Sequence, residues 1–170
     1  SHLHAATPAE RLEVRKELGL PAAAPVVVGA FRLSDEKRPT LFVETFAKAL
    51  AVKPELHGVL MGVGPRLDDV MTRAEQLGVA HRLQCIGRRT DLPRVMSAMD
   101  VLLHTAWWDG TPNVVLEAQQ LCLPVVVAKA GGAADAVDHG RTGYLVERED
   151  EEAMGRRLFE VLAAVTGWKQ

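Results

Sequence analysis

The stretch that decides the fold begins with Val101-Leu102-Leu103-His104 and passes through the loop Trp107-Trp108-Asp109-Gly110-Thr111. It continues from Pro112 to Cys122 and ends with Pro124-Val125-Val126-Val127-Ala128. Two apolar runs of strand length flank a segment in which Thr111 caps a helix and Pro112 occupies its first position. The runs are continuous and do not alternate, so each strand is buried on both faces, as in a parallel sheet covered by helices. Strand, helix and strand in that order make one right-handed βαβ unit.

The same rhythm extends outward. The β-branched run Val26-Val27-Val28 ends in Gly29-Ala30, and further strands are predicted over 58–61, 83–86 and 144–146, beside those over 101–104 and 125–128. Helices are predicted over 41–50, 66–77 (closed by Gly78), 92–99, 112–122 and from about 150 to 165. Ahead of them, Thr7-Pro8-Ala9-Glu10 reads as a capping box with proline at the first helical position, and Gly19 as the stop. The fold class is α/β: a doubly wound, mostly parallel sheet flanked by helices, a single Rossmann-like half. Residues 1–24 read as a linker with a leading helix and 25–170 as the domain itself.

Composition narrows the functions. The 170 residues are 48% apolar and 25% charged, the balance of one ordinary globular domain. A net charge of -2 gives no bulk positive field to gather nucleic acid or an anionic membrane. The apolar stretches are of strand length, far too short for a transmembrane segment. Cys85 and Cys122 make no zinc spacing, and sitting in apolar runs they read as buried free thiols of a reducing compartment. The six histidines form no HExxH pair.

In an open α/β sheet, ligands bind outside the carboxyl ends of the strands, so the loops there carry the chemistry. The first, from Gly29 to Pro39, lacks a GxGxxG phosphate fingerprint but brings Arg32 and Lys37 close enough to converge on one anion. Taken alone it reads as a solvated loop whose Asp35 and Glu36 neutralise its own cations. Gly62-Val63-Gly64-Pro65 permits either close ligand approach or a plain turn, the turn being favoured in isolation. Gly87-Arg88-Arg89-Thr90-Asp91 either places a base or ribose against backbone or starts a helix. The fourth loop is the most informative. Val114 stands where a capping-box acid would, so the amides of Asn113 and Val114 are left to face an anion. Glu117 borders the apolar stripe of that helix and needs a partner, either a ribose diol or an arginine such as Arg32 or Arg88. His104 reads as a satisfied core histidine. Of the adjacent Trp107 and Trp108, one packs and the other lines a rim. Gly131-Gly132 permits close backbone approach or is a turn.

Together these loops resemble the C-terminal domain of glycosyltransferase family 4, the retaining group 1 enzymes of the GT-B fold. The similarity runs over 26–150. It is carried by Gly29-Ala30-Phe31-Arg32-Leu33 with Lys37 following, and by Gly62–Pro65. It continues in Asp109-Gly110-Thr111-Pro112-Asn113-Val114-Val115-Leu116-Glu117-Ala118, then Pro124-Val125-Val126, Gly131-Gly132 and His139-Gly140-Arg141-Thr142-Gly143-Tyr144-Leu145-Val146. Two positions depart from the pattern. Asp109 and Asp135 stand where the family usually has glutamate, and each shortens the reach toward a donor sugar by one methylene.

The resemblance implies a donor-binding domain over 25–170 that takes a nucleotide-diphosphate sugar and passes its sugar to an acceptor hydroxyl with retention. Arg32, Lys37 and Asp109 would be the catalytic set, the two cations stabilising the departing diphosphate. Gly64, Arg88, Gly110, Pro112, Asn113, Val114 and Glu117 would bind donor: Arg88 near the base, Glu117 on the ribose hydroxyls, Asp109 and Gly110 on the sugar. No metal and no cofactor are implied. The implied partners are a glycan or lipid-linked glycan acceptor and an absent N-terminal domain that carries the acceptor site, so that the isolated chain catalyses little. Trp107, Trp108 and Trp168 would include surface that docks on that domain. The setting would be polysaccharide assembly in the cytoplasm, or at the inner membrane through the other domain. Rival readings are an epimerase or sugar phosphorylase of the same architecture, the latter lacking a suitable pyridoxal lysine, and a non-catalytic nucleotide-sugar-binding module.

Overall fold

The computed structural model describes residues 3–110, 113–141 and 143–165. Six strands, β1 (Val26–Ala30), β2 (His57–Met61), β3 (Leu83–Gly87), β4 (Val101–His104), β5 (Val125–Lys129) and β6 (Tyr144–Glu147), form one sheet in the order β3-β2-β1-β4-β5-β6. Every neighbouring pair is parallel. Helices α1 (Pro8–Glu17), α2 (Pro39–Val52), α3 (Leu67–Gln76), α4 (Leu92–Met96), α5 (Asn113–Gln120), α6 (Ala133–Ala136) and α7 (Glu151–Val165) alternate with them.

The apolar runs divide by the period of two that a strand imposes. Val27, Leu60, Leu103 and Val126 face one core with Phe42 and Phe46 of α2 and Met154 and Leu158 of α7. Val26, Val28, Val59, Leu102, Val125 and Val127 face the other, with Val14 of α1, Val95 and Met96 of α4, and Val115 and Ala118 of α5. The sheet is therefore covered on both sides, as the unbroken apolar runs require. Strand order reverses between β1 and β4, which places the switch point of the fold at their carboxyl ends.

The amino ends of the same two strands are fastened by Arg15. Its side chain is 2% exposed and donates to the carbonyls of Ala98, Pro21, Ala22 and Ala24 and to Asp100 Oδ2 at 2.9 Å. Asp100 in turn accepts from the amide of Val26 and from Arg11. Burial lowers the pKa of the Arg15 guanidinium, and the Asp100 charge opposes that shift. This staple also explains why α4 ends at Met96 when the apolar spacing carries it to Met99. The carbonyls of Ser97, Ala98 and Met99 are taken by Arg11 and Arg15 as the chain turns into β4.

The capping box at Thr7 forms as expected: Thr7 Oγ1 accepts from the Glu10 amide and Glu10 accepts from the Thr7 amide. The cysteines do not behave as buried thiols. Cys85 lies half-buried on β3, and Cys122 is exposed, with φ +58, in the left-handed turn after α5. The thiol there is turned outward because a side chain at that conformation cannot follow the helix into the core. Helix α6, which is not among the elements predicted from the sequence, is a single turn following Gly131-Gly132.

Replacing Arg15 with methionine leaves Asp100 and four carbonyls short of a buried partner. The expected destabilisation is about 3 kcal/mol in chemical denaturation. A change below about 1 kcal/mol would show that the staple is dispensable.

Candidate functional site at the carboxyl ends of β1 and β4

The loops leaving β1, β2, β4 and β5 are braced to one another by backbone. Leu33 N donates to Val63 O and Arg66 N to Leu33 O, so the loops after β1 and β2 run together. A Cβ on Gly62 would stand 1.9 Å from the Phe31 carbonyl oxygen, and one on Gly64 2.4 Å from that of Leu33. These glycines therefore serve loop-to-loop approach in this structure, whatever Gly64 meets besides. On the other side, Gly132 N donates to Asp109 O, and a Cβ on Gly131 (φ +54) would lie 1.9 Å from that same oxygen.

The loop after β1 is held to the end of β4 by three further groups. Thr105, fully buried, donates its hydroxyl to Lys37 O at 2.7 Å. Arg38 donates to Thr105 O at 2.8 Å and to Arg148 O at 2.7 Å, and Trp107 N donates to Glu36 O. Arg38 itself sits at φ +51, a conformation that costs a non-glycine residue about 1–2 kcal/mol, and its two side-chain bonds offset that strain. The guanidinium carbons of Arg38 and Arg148 lie 5.0 and 4.3 Å from the centre of the Trp107 ring. Trp107 is 40% and Trp108 59% exposed. Neither is packed away, but Trp107 is the one engaged.

At the centre of this frame is Asp109. Its Oδ2 accepts from Lys37 Nζ at 3.1 Å and lies 2.8 Å from His104 Nε2. Its carboxyl is held below the ordinary aspartate range, first by the His104 hydrogen bond and then by that of Lys37, with burial opposing both. His104 differs from the expectation of a satisfied core histidine. It is 1% exposed, but its Nδ1 has no partner among the described residues. Asp35 is diverted from the cations of its own loop, whereas Glu36, its carboxyl pKa lowered first by the Ser34 hydroxyl, also feels the charges of Lys37 and Arg32. Asp35 pairs with Arg66, and Glu36 accepts from Ser34 Oγ.

The sequence-derived residues fall around this centre. Arg32 is exposed and Lys37 half-buried on the β1 loop. Asp109 and Gly110 lie on the β4 loop; Asn113 and Val114 begin α5, and Glu117 follows one turn on. The amides of a helix's first turn have no intrahelical acceptor. Glu117 is half-buried and pairs with neither Arg32 nor Arg88, so the arginine alternative for its partner is removed. Arg88 is exposed beyond β3, three strand spacings from β4, about 14 Å away. Asp135 is exposed on α6. Pro112, with Thr111, Thr142 and Trp168, lies outside the described residues. The sequence reading missed Arg38, Thr105 and the role of His104. The available signal for His104 was a ring nitrogen ending an apolar strand five residues before an acid.

Among the described residues no group of three His, Cys, Asp or Glu side chains could hold a metal ion, and no helix is long and apolar enough to cross a membrane.

Fold and loops together define one Rossmann-like half of a GT-B glycosyltransferase fold. The chain belongs to the glycosyl transferases group 1 family, whose model matches residues 10–164. It is 33% identical over 166 residues to the D-inositol 3-phosphate glycosyltransferase of Mycolicibacterium gilvum (strain PYR-GCK), covering 93% of this chain and 36% of that protein. It is 32% identical over 119 residues to the Vi polysaccharide biosynthesis protein VipC/TviE of Salmonella typhi, covering 70% of this chain and 21% of that one. Among solved structures, Anabaena Alr3699/HepE in complex with UDP superposes with a TM-score of 0.78 at 26% identity, over 95% of this chain and 49% of that one. The chain thus spans half or less of the length of these proteins.

Because Asp109 has a depressed pKa in the fold, its bonds contribute stability above pH about 4 and lose it as the pH falls further. A carboxyl-carbon NMR titration should place its midpoint below 3.8, the value of an unperturbed aspartate. A midpoint at or above that value would contradict the Lys37–Asp109–His104 arrangement.

Proposed function

We propose that this chain is the donor-binding half of a retaining glycosyltransferase that moves a sugar from a nucleotide-diphosphate sugar to an acceptor hydroxyl. The observation that carries the reading is Lys37 paired with Asp109 at the switch point, on the loop that leads to α5, the helix whose half-buried Glu117 has no ion pair among the described residues. A cation, a helix N-terminus and a carboxylate one turn along that helix suit a diphosphate ester followed by its pentose.

In this reading Glu117 accepts from the ribose hydroxyls, and Arg88 lies toward the base. Lys37 exchanges the Asp109 carboxylate for the diphosphate, and Arg32, exposed and without an ion partner among the described residues, joins it. As the bond from the anomeric carbon to the diphosphate oxygen breaks, the electron pair stays on the diphosphate. Preorganised positive charge around it lowers the barrier. The amides of Asn113 and Val114 assist, while Asp109 and Gly110 face the sugar and Gly64 and Pro112 complete the donor site. The HepE structure with UDP supports a nucleotide diphosphate as the ligand class. The name of the Salmonella relative supports a polysaccharide acceptor. The acceptor site belongs to an N-terminal domain outside this chain, which alone binds nucleotide weakly and catalyses little. The two halves together work in the cytoplasm or against the inner membrane.

A second reading, a nucleotide-sugar-binding module without turnover, draws on one observation. Asp109, a methylene shorter than glutamate, is already engaged by two donors.

Glu117→Ala and Lys37→Ala should each weaken nucleoside-diphosphate binding at least tenfold, about 1.4 kcal/mol, in calorimetry. Unchanged affinity in both variants, with the fold intact by circular dichroism, would remove the assignment.

A further inference from the structure

Nothing so far explains why β4 ends in a buried imidazole. His104 is 1% exposed and stands edge-on to the Phe31 ring at 6.0 Å. One of its nitrogens is left without a partner among the described residues. An apolar side chain would fill this space without burying an unpaired polar atom, so packing does not account for the residue. Among the described residues the one polar contact of its side chain is Asp109 Oδ2, the same oxygen that accepts from Lys37. An ionised carboxylate only accepts, so the hydrogen of this contact sits on His104 Nε2.

Resting on the donor-binding reading above, we propose that His104 is a positioning residue that lets Lys37 leave Asp109 for the donor diphosphate. Lys37 has three N–H donors but a single positive charge, so an arriving diphosphate competes with the Asp109 carboxylate for that charge and draws the ammonium away from it. The Asp109 carboxylate is only 12% exposed. Without His104, losing Lys37 would strand a buried charge, and Asp109 would hold the ammonium back. With His104 donating to Oδ2 from the rigid end of β4, the carboxylate stays paired and fixed in place when Lys37 swings away. The negative charge of the arriving diphosphate is then exchanged for that of Asp109 at one cation, and Asp109 is kept oriented toward the sugar.

Calorimetry with uridine diphosphate on the whole chain tests this as a cycle. His104→Phe keeps a ring but removes the donor, and should lower affinity at least fivefold. His104→Gln retains an N–H at the corresponding distance and should restore most of it. In an Asp109→Asn background the carboxylate that His104 steadies no longer competes for Lys37, so adding His104→Phe should change affinity less than twofold. Wild-type affinity in His104→Phe, or an undiminished loss in the Asp109→Asn background, would overturn the proposal, the latter marking a structural defect. If His104→Phe does not fold, nitrogen NMR of the unmodified chain decides. Nε2 should be protonated, and its proton resonance should move when uridine diphosphate saturates the protein. An unprotonated Nε2 or an unmoved resonance overturns the role. If the unmodified chain binds none of the uridine, guanosine, adenosine or thymidine diphosphates, the donor-binding reading itself falls, and this inference with it.

Discussion

The carboxylate of Asp109 is the constraint around which the carboxyl face of the sheet is arranged. It stands on a loop with no regular structure of its own, yet it receives donors from two different strands' ends. One is Lys37, on the loop after β1, and the other is His104, the last residue of β4. A loop fixed from two directions cannot drift independently of either. The Gly132 amide on the Asp109 carbonyl adds a third anchor from the far side of β5. Charged and backbone hydrogen bonds thus hold the β4 loop, while Val115 and Ala118 seat α5 on the core.

The central strand pair is fastened by charge at both ends but for different purposes. At the amino ends, Arg15 and Asp100 are enclosed, heavily hydrogen-bonded and far from the ligand-facing loops, an arrangement that suits a permanent clamp. At the carboxyl ends, Lys37 meets a partially open carboxylate through a single contact of 3.1 Å, an arrangement that suits exchange. The same chemistry, cation on carboxylate, is made rigid in one place by a partner for each guanidinium nitrogen and labile in the other, where the ammonium has no further acceptor among the described residues.

Much of the architecture was legible in the residue order. The unbroken apolar runs marked β1, β4 and β5 because only a strand covered on both sides has no polar alternation, and Thr7 with Glu10 marked the first helix through a local bond pattern. α6 was not legible because Ala133–Ala136 has no apolar period to distinguish it from a turn. The exposure of Cys122 was hidden because its backbone conformation, not its apolar neighbours, decides where the thiol points. In the site, Arg32, Lys37, Asp109 and Glu117 were each visible as residues on strand-end loops. That Lys37 reaches Asp109 was not visible, since the contact depends on β1 lying beside β4 and no local pattern encodes that adjacency. The orphan nitrogen of His104 likewise exists only in three dimensions.

The stacking of Trp107 against two guanidinium groups has an optical consequence. Indole emission responds to nearby charge and to the order of its surroundings, and Arg38 joins this ring to Thr105 and through it to the Lys37 carbonyl. Whatever displaces the β1 loop therefore alters the electric field at a partly exposed chromophore. The molecule carries its own fluorescent gauge of loop position, readable without a label.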